Sequence, residues 1–192
     1  MKNLIFLIED ILWSLRCSYN LWLHGPYGLA KVIEKMPFRF VVKYLRKYGA
    51  SIGKNCRFER GINIHRPMSK LPFKNLKIGN GVYLGHSIIL DLSEKITIKD
   101  NVAIGGKSQV WTHAGFYRNK DPEKPDYTEN INSVIIDKCA IIYSNVVITH
   151  GVKIGKLTRI GANSLVNKPI PDNEFWGGVP AKLLKNQNIN LK

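Results

Sequence analysis

His113 closes the run Val110-Trp111-Thr112-His113, directly before twenty residues that interrupt an otherwise regular sequence. An imidazole ordinarily titrates near pH ~6.5, so it can take a proton from a weakly acidic group close to neutrality. At the mouth of a long loop, that makes His113 a candidate general base for a hydroxyl nucleophile. The loop, residues 114–133, carries Tyr117, Arg118, Asp121, Asp126, Tyr127 and Glu129, a set suited to polar substrate contacts. His65, His86, His113 and His150 could also supply a metal centre, but they lack the close histidine pair of a three-histidine zinc site, and no metal is expected.

A six-residue period positions these side chains. Ile52, Phe58 and Ile64 begin a series that continues through Ile78, Leu84 and Leu90, then Ile98, Ile104 and Val110. It resumes at Ile136, Ile142, Ile148, Ile154, Ile160 and Val166. Glycine follows six of these markers, and the fourth residue after each is mostly small or β-branched, as at Cys56, Val82, Ala140 and Ser164. Neither a helix nor an alternating strand has this period; a hexapeptide β-helix does. Three strands and three corners make an 18-residue coil, with the large aliphatic pointing inward and glycine expected to relieve the backbone at the turn. The count predicts five coils, broken by about eight extra residues after Ile64, two near Ser93–Lys95 and twenty after Val110.

Counting coil positions places further candidates. Asp91, one after Leu90, falls beneath Trp111 and could orient His113 or meet an acceptor. His150 neighbours Thr112, and His86 shares a side column with Gly106 and Ser144. For each, the alternative is an ordinary position on the coil surface.

The 192 residues suit one domain, organised as a helical cap (1–50), a β-helix (51–171) and a C-terminal tail (172–192). In the first segment Leu4, Ile5, Ile8, Ile11, Leu12 and Leu15 have helical spacing, the element ends at His24-Gly25-Pro26, and a second helical stretch covers roughly Leu29–Tyr48. This region is expected to cover the exposed first coil, and its basic amphipathic character also suits contact with an anionic membrane face. Glu9 and Asp10 break the apolar opening, which argues against a signal peptide or a spanning helix. Cys17, Cys56 and Cys139 are expected as buried free thiols in a reducing cytoplasm. The net charge of +15 calls for an anionic partner. No zinc-finger, RNA-recognition or helix-turn-helix pattern accompanies it, so nucleic acid is not expected.

These features resemble the left-handed β-helix, hexapeptide-repeat acyltransferases, in particular the sugar O-acetyltransferases of the maltose, galactoside and nodulation type. The resemblance covers about residues 52–185. It implies the left hand, since ordinary strand physics favours right-handed crossovers. It also implies a homotrimer with clefts between neighbouring chains, acetyl-CoA as co-substrate, and a sugar acceptor such as a surface-polysaccharide precursor. His113 matches the family's catalytic histidine. In Ile141-Ile142-Tyr143-Ser144 the family usually reads Trp-Ile-Gly-Ser; Ser144 is retained, near the thioester carbonyl, while Tyr143 alters the acyl pocket. Ile160-Gly161-Ala162-Asn163-Ser164 and Gly178-Val179-Pro180-Ala181-Lys182 resemble the closing signatures that flank coenzyme A. Ala162, Asn163, Lys168, Lys182 and Lys185 are the matching cofactor-binding residues, the lysines acting as point charges toward phosphate. Tyr117, Tyr143, His86, Asp91 and His150 are the candidate substrate contacts. N-acetylation of an amino sugar is the neighbouring chemistry; a carbonic anhydrase of the γ type, which shares the fold, and a non-catalytic scaffold are more distant alternatives.

Overall fold

A computed structural model describes residues 2–117 and 127–186. The cap comprises α1 (Lys2–Lys35) and α2 (Phe38–Lys47). The expected break at Gly25-Pro26 divides α1 into two helical segments, Gly25 adopting φ 62° and ψ −160°; a second interruption at Pro37, which fixes the entry to α2, splits the predicted second stretch.

Five coils follow. The first contains β1 (Ser51–Ile52), β2 (Arg57–Phe58) and β3 (Asn63–His65); the second β4 (Leu76–Ile78), β5 (Tyr83–Leu84) and β6 (Ile89–Asp91). The third contains β7 (Ile96–Ile98), β8 (Ala103–Ile104) and β9 (Gln109–Val110). After the hairpin of β10 (His113–Tyr117) and β11 (Tyr127–Ile131) comes the fourth, with β12 (Val134–Ile136), β13 (Ile141–Ile142) and β14 (Val147–Ile148). The fifth has β15 (Lys153–Ile154), β16 (Arg159–Ile160) and β17 (Leu165–Val166). The chain ends in β18 (Glu174–Gly177) and β19 (Lys182–Asn186).

Parallel pairing builds three faces: A (β1-β4-β7-β12-β15), B (β2-β5-β8-β13-β16-β18-β19, its final pair antiparallel) and C (β3-β6-β9-β14-β17). The fold is a left-handed parallel β-helix. The hexad markers stack as columns: Ile52, Ile78, Ile98, Ile136 and Ile154 on face A, with Phe58 and Ile64 each heading its own column on faces B and C. All are buried except Ile52, which is half-buried beneath the cap. Burying one large aliphatic per strand, in register with its neighbours above and below, supplies the continuous core that no single coil could form.

Glycine takes the left-handed corner position at Gly61, Gly81 and Gly151, whereas the glycines directly after the markers do not. The left-handed backbone falls on Asn55, Asn101, Asn145, Asn163 and their column neighbours, two or three residues after the markers. The marker-following glycines instead permit close stacking: a Cβ on Gly53 would lie 2.5 Å from Gly79 C, and one on Gly105 2.6 Å from Ser144 N.

The cap buries Phe40, Val41, Tyr44 and Leu45 from α2 with Leu29 and Ile33 from α1 and Met36 just after it. Arg46 donates to the carbonyls of Ile52 and Gly53, satisfying acceptors of the first coil's open edge. At the far end, residues past 171 extend face B through β18 and β19, and Trp176 and Ala181 close the core. Cys17 is buried, whereas Cys56 and Cys139 are only half-buried; all three are free thiols. No described helix is long and apolar enough to cross a membrane.

Candidate active site

All three interruptions leave the prism at one corner, where face C turns into face A. At that corner Asp91, the last residue of β6, is fully buried and receives a set of donors. The Thr112 N–H donates to its Oδ2 at 2.8 Å, and the Ser93 hydroxyl donates to Oδ1 at 2.8 Å. His113 Nδ1 lies 2.7 Å from Oδ2, and His65 Nδ1 3.1 Å from Oδ1. Burial alone would raise the Asp91 carboxyl; hydrogen bonds from His113, His65 and Thr112 outweigh it and hold the group well below the usual carboxylate range. Asp91 is therefore an anion at neutral pH.

That anion fixes the neighbouring imidazole. With its Nδ1–H donated to the carboxylate, His113 keeps Nε2 as its basic nitrogen. The side chain is 13% exposed, sheltered yet reachable. Thr112, itself buried, accepts at Oγ1 from the Glu94 N–H at 2.9 Å and thereby ties the two-residue interruption to the site.

His65, which the sequence offers only as a possible metal ligand, joins this cluster. It pairs in register with Asp91 and stacks parallel to His113, with centroids 5.4 Å apart and planes at 5°. Trp111 meets both rings edge-on, at 5.3 Å and 6.0 Å. The signal was available: His65 stands one residue after Ile64, as Asp91 stands one after Leu90. His65, Asp91 and His113 also offer ligand atoms within 4.8 Å of one another, the donor types of a metal centre. Both Nδ1 atoms, however, face the carboxylate at hydrogen-bond distance, which makes this a proton-sharing cluster.

The long interruption is a hairpin, and His113 is its first residue, paired with Ile131. Arg66 holds the hairpin to the first coil through two bonds to Glu129, at 2.9 Å and 2.8 Å, and the Tyr127 hydroxyl donates to the same carboxylate at 3.0 Å. The Arg66 hydrogen bond, then that of Tyr127, lowers the Glu129 carboxyl to about 2. The side chain of Tyr117, with Arg118, Asp121 and Asp126, lies outside the described residues.

Other candidates stand elsewhere. His86, Ser144 and Ala162 form one column at the corner between faces B and C, with Gly106 between the first two. All three named side chains are exposed, as is Tyr143, and the Asn163 N–H donates to the Ser144 carbonyl at 3.1 Å. Asn163 has φ 58° and its Oδ1 accepts from Asn145 at 2.7 Å. Within one chain this column is separated from His113 by face C, six residues or up to about 20 Å. His150 follows β14 on the His113 edge, but Asn132 intervenes: its N–H donates to Thr112 and its carbonyl accepts from Gly151. Among the described residues the buried His150 Nδ1 has no hydrogen-bond partner. Lys168 also lies on that edge, its ammonium 5.0 Å from the Trp176 ring centroid. Lys182 and Lys185 are exposed on β19.

No family model matches the chain. Among curated proteins it is 28% identical over 150 residues to WcaF of Escherichia coli, named for colanic acid biosynthesis acetyltransferase activity, covering 78% of this chain and 76% of that one. It is 27% identical over 151 residues to the galactoside O-acetyltransferase of Lactococcus lactis, covering 77% and 68%. Among solved structures, the hexapeptide-repeat acetyltransferase VCA0836 of Vibrio cholerae, complexed with acetyl coenzyme A, superposes with a TM-score of 0.73 at 24% identity, covering 86% and 87%. A galactoside acetyltransferase in complex with coenzyme A gives 0.72 at 23%, covering 86% and 82%. In its repeat, its fold and its sequence the chain is similar to the hexapeptide-repeat acetyltransferases.

Proposed function

We propose that the protein transfers the acetyl group of acetyl-CoA to a hydroxyl of a sugar, a surface-polysaccharide precursor being the acceptor class, with His113 as general base. The observation that carries this reading is the buried Asp91 carboxylate 2.7 Å from His113 Nδ1. It leaves Nε2 to take the hydroxyl proton as the oxygen attacks the thioester carbonyl. The resulting imidazolium is stabilised by the Asp91 charge. Collapse of the tetrahedral intermediate breaks the carbon–sulfur bond, and the departing thiolate regains the proton from His113. No acyl-enzyme forms, and much of the acceleration comes from holding both reactants together. The relatives' names, which include a galactoside O-acetyltransferase and a colanic acid acetyltransferase, support the sugar class.

Coenzyme A would run along the column of Ser144 and Ala162, flanked by Asn163 and reached by Lys182 and Lys185, with Lys168 approaching from the facing edge of the neighbouring chain. The Ser144 hydroxyl or N–H would steady the oxyanion. Tyr143, exposed beside it, would bound the acyl pocket, and His86, His150 and Tyr117 would meet the acceptor. Because one chain separates the Ser144 column from His113, the reading requires a homotrimer in which the edge of one chain faces the other edge of its neighbour. Free thiols suit a reducing compartment, and the reading places the reaction in the cytoplasm.

Thiol release from acetyl-CoA, measured against a panel of sugars, tests this directly. Wild type should turn over with a hydroxyl acceptor, and His113→Ala should lose roughly 10²–10⁴-fold in kcat. Equal turnover by both proteins would remove His113 from the mechanism. Acceptance only of amino sugars would reassign the enzyme as an N-acetyltransferase.

A further inference from the structure

The first part of α1 turns a mixed side toward the protein, with Cys17 buried and Phe6 stacked on Phe40. Glu9 and Asp10 are turned onto α2, where they pair with Arg39 and Lys43. Lys47 donates to Ser14 at 3.0 Å, and the Tyr44 hydroxyl to the Asp10 carbonyl at 2.7 Å. The opposite side presents Leu4, Ile8, Ile11, Leu15, Tyr19 and Trp22, all exposed and spaced by three or four residues. Leu15 is 62% exposed and Trp22 80%. The stripe runs along about 27 Å of helix, and Leu7 and Leu12 widen it to about 140° of the circumference. An exposed surface so largely apolar, with Ser18 the polar residue within the arc, marks a docking site.

We propose that this face lies on an anionic lipid surface, parallel to the bilayer plane. Charge selects this occupant. Residues 1–50 hold eight lysines and arginines against three acidic residues, a net +5, and the acidic residues nearest the stripe are occupied by α2. Exposed Arg16 flanks the stripe and sits 5.2 Å from the Trp13 ring centroid. Tyr19 and Trp22 supply amphipathic aromatics of the kind that settle at a membrane–water boundary. A second copy on this face would bring two +5 caps together, and the stripe is broader than the seam of a paired coil. The helix does not have the character of a span. The inference stands independently of the transferase reading.

Co-sedimentation of the full-length protein with vesicles of phosphatidylcholine, alone or mixed with phosphatidylglycerol, tests it. Wild type should pellet with the mixed vesicles and much less with the neutral ones. Ile8→Glu/Leu15→Glu should weaken binding about tenfold or more, with unchanged circular dichroism because both positions are exposed. Trp22→Ser, a milder change to the same surface, should weaken binding several-fold. Wild type left in the supernatant with both vesicle types overturns the proposal, as does undiminished binding by both variants. A fall in oligomeric mass on light scattering for Ile8→Glu/Leu15→Glu would likewise overturn it, assigning the face to a second copy of the chain.

Discussion

Asp91 is the residue on which the site's geometry depends. It is buried, yet four neighbouring donors keep it ionised. Asn at this position could not balance an imidazolium, and its amide would favour the other histidine tautomer. Asp91→Asn is therefore expected to lower kcat roughly 10²–10⁴-fold while coenzyme A affinity, measured by calorimetry, stays close to wild type. Stability should respond as well. The folded carboxyl titrates below its unfolded value of about 3.9, so the unfolded chain binds the extra proton in that window and stability rises with pH through it. The difference in Tm between wild type and Asp91→Asn should be full above about pH 5 and narrow as pH falls below 4. Much of this cluster was legible in the sequence, since Asp91 and His113 follow from counting hexads. His65 obeys the same count, but its use depends on side-chain direction, which a period does not give.

Among the elements, the repeat announced itself because each strand must bury one aliphatic in a shared column. The role of glycine did not, because it depends on the distance between coils. Gly105→Ala puts a Cβ 2.6 Å from Ser144 N and 2.7 Å from Tyr143 C, backbone atoms held on both sides by the ladder. The cost should be about 1–3 kcal/mol, a fall in Tm of roughly 2–10 °C. Gly161→Ala, whose nearest neighbour would lie at 3.5 Å, should melt within about 2 °C of wild type. Thermal denaturation of the pair separates crowding from a general intolerance of alanine. The hairpin is a second case. The sequence marked an interruption of the right length, whereas its strand pairing and the Arg66–Glu129 clamp join residues 63 positions apart.

At the scale of the whole molecule, His113 and the Ser144–Ala162 column occupy different edges of one prism. If the working site is assembled between chains, two inactive variants should complement each other. His113→Ala removes the base; Ala162→Trp fills the cofactor column. Co-assembled at equal amounts, they should recover roughly a quarter of wild-type turnover, since random pairing restores one edge of each kind at about one site in four. Continued inactivity of the mixture, with co-assembly verified by mass, would place both edges' work within a single chain.

The coil, its three faces and the corner at which chain is inserted are all written in the order of residues, because a period of six whose breaks all follow a third marker leaves little other arrangement. That order also marks His113 as the residue at that opening. Only the packed structure reveals that two imidazoles share one buried carboxylate, that Arg66 clamps the hairpin, and that Glu9 and Asp10 of α1 turn onto α2 while Leu4, Ile8, Ile11 and Leu15 stay exposed. Those outcomes depend on the directions in which side chains leave neighbouring elements, and a linear pattern holds spacing without direction.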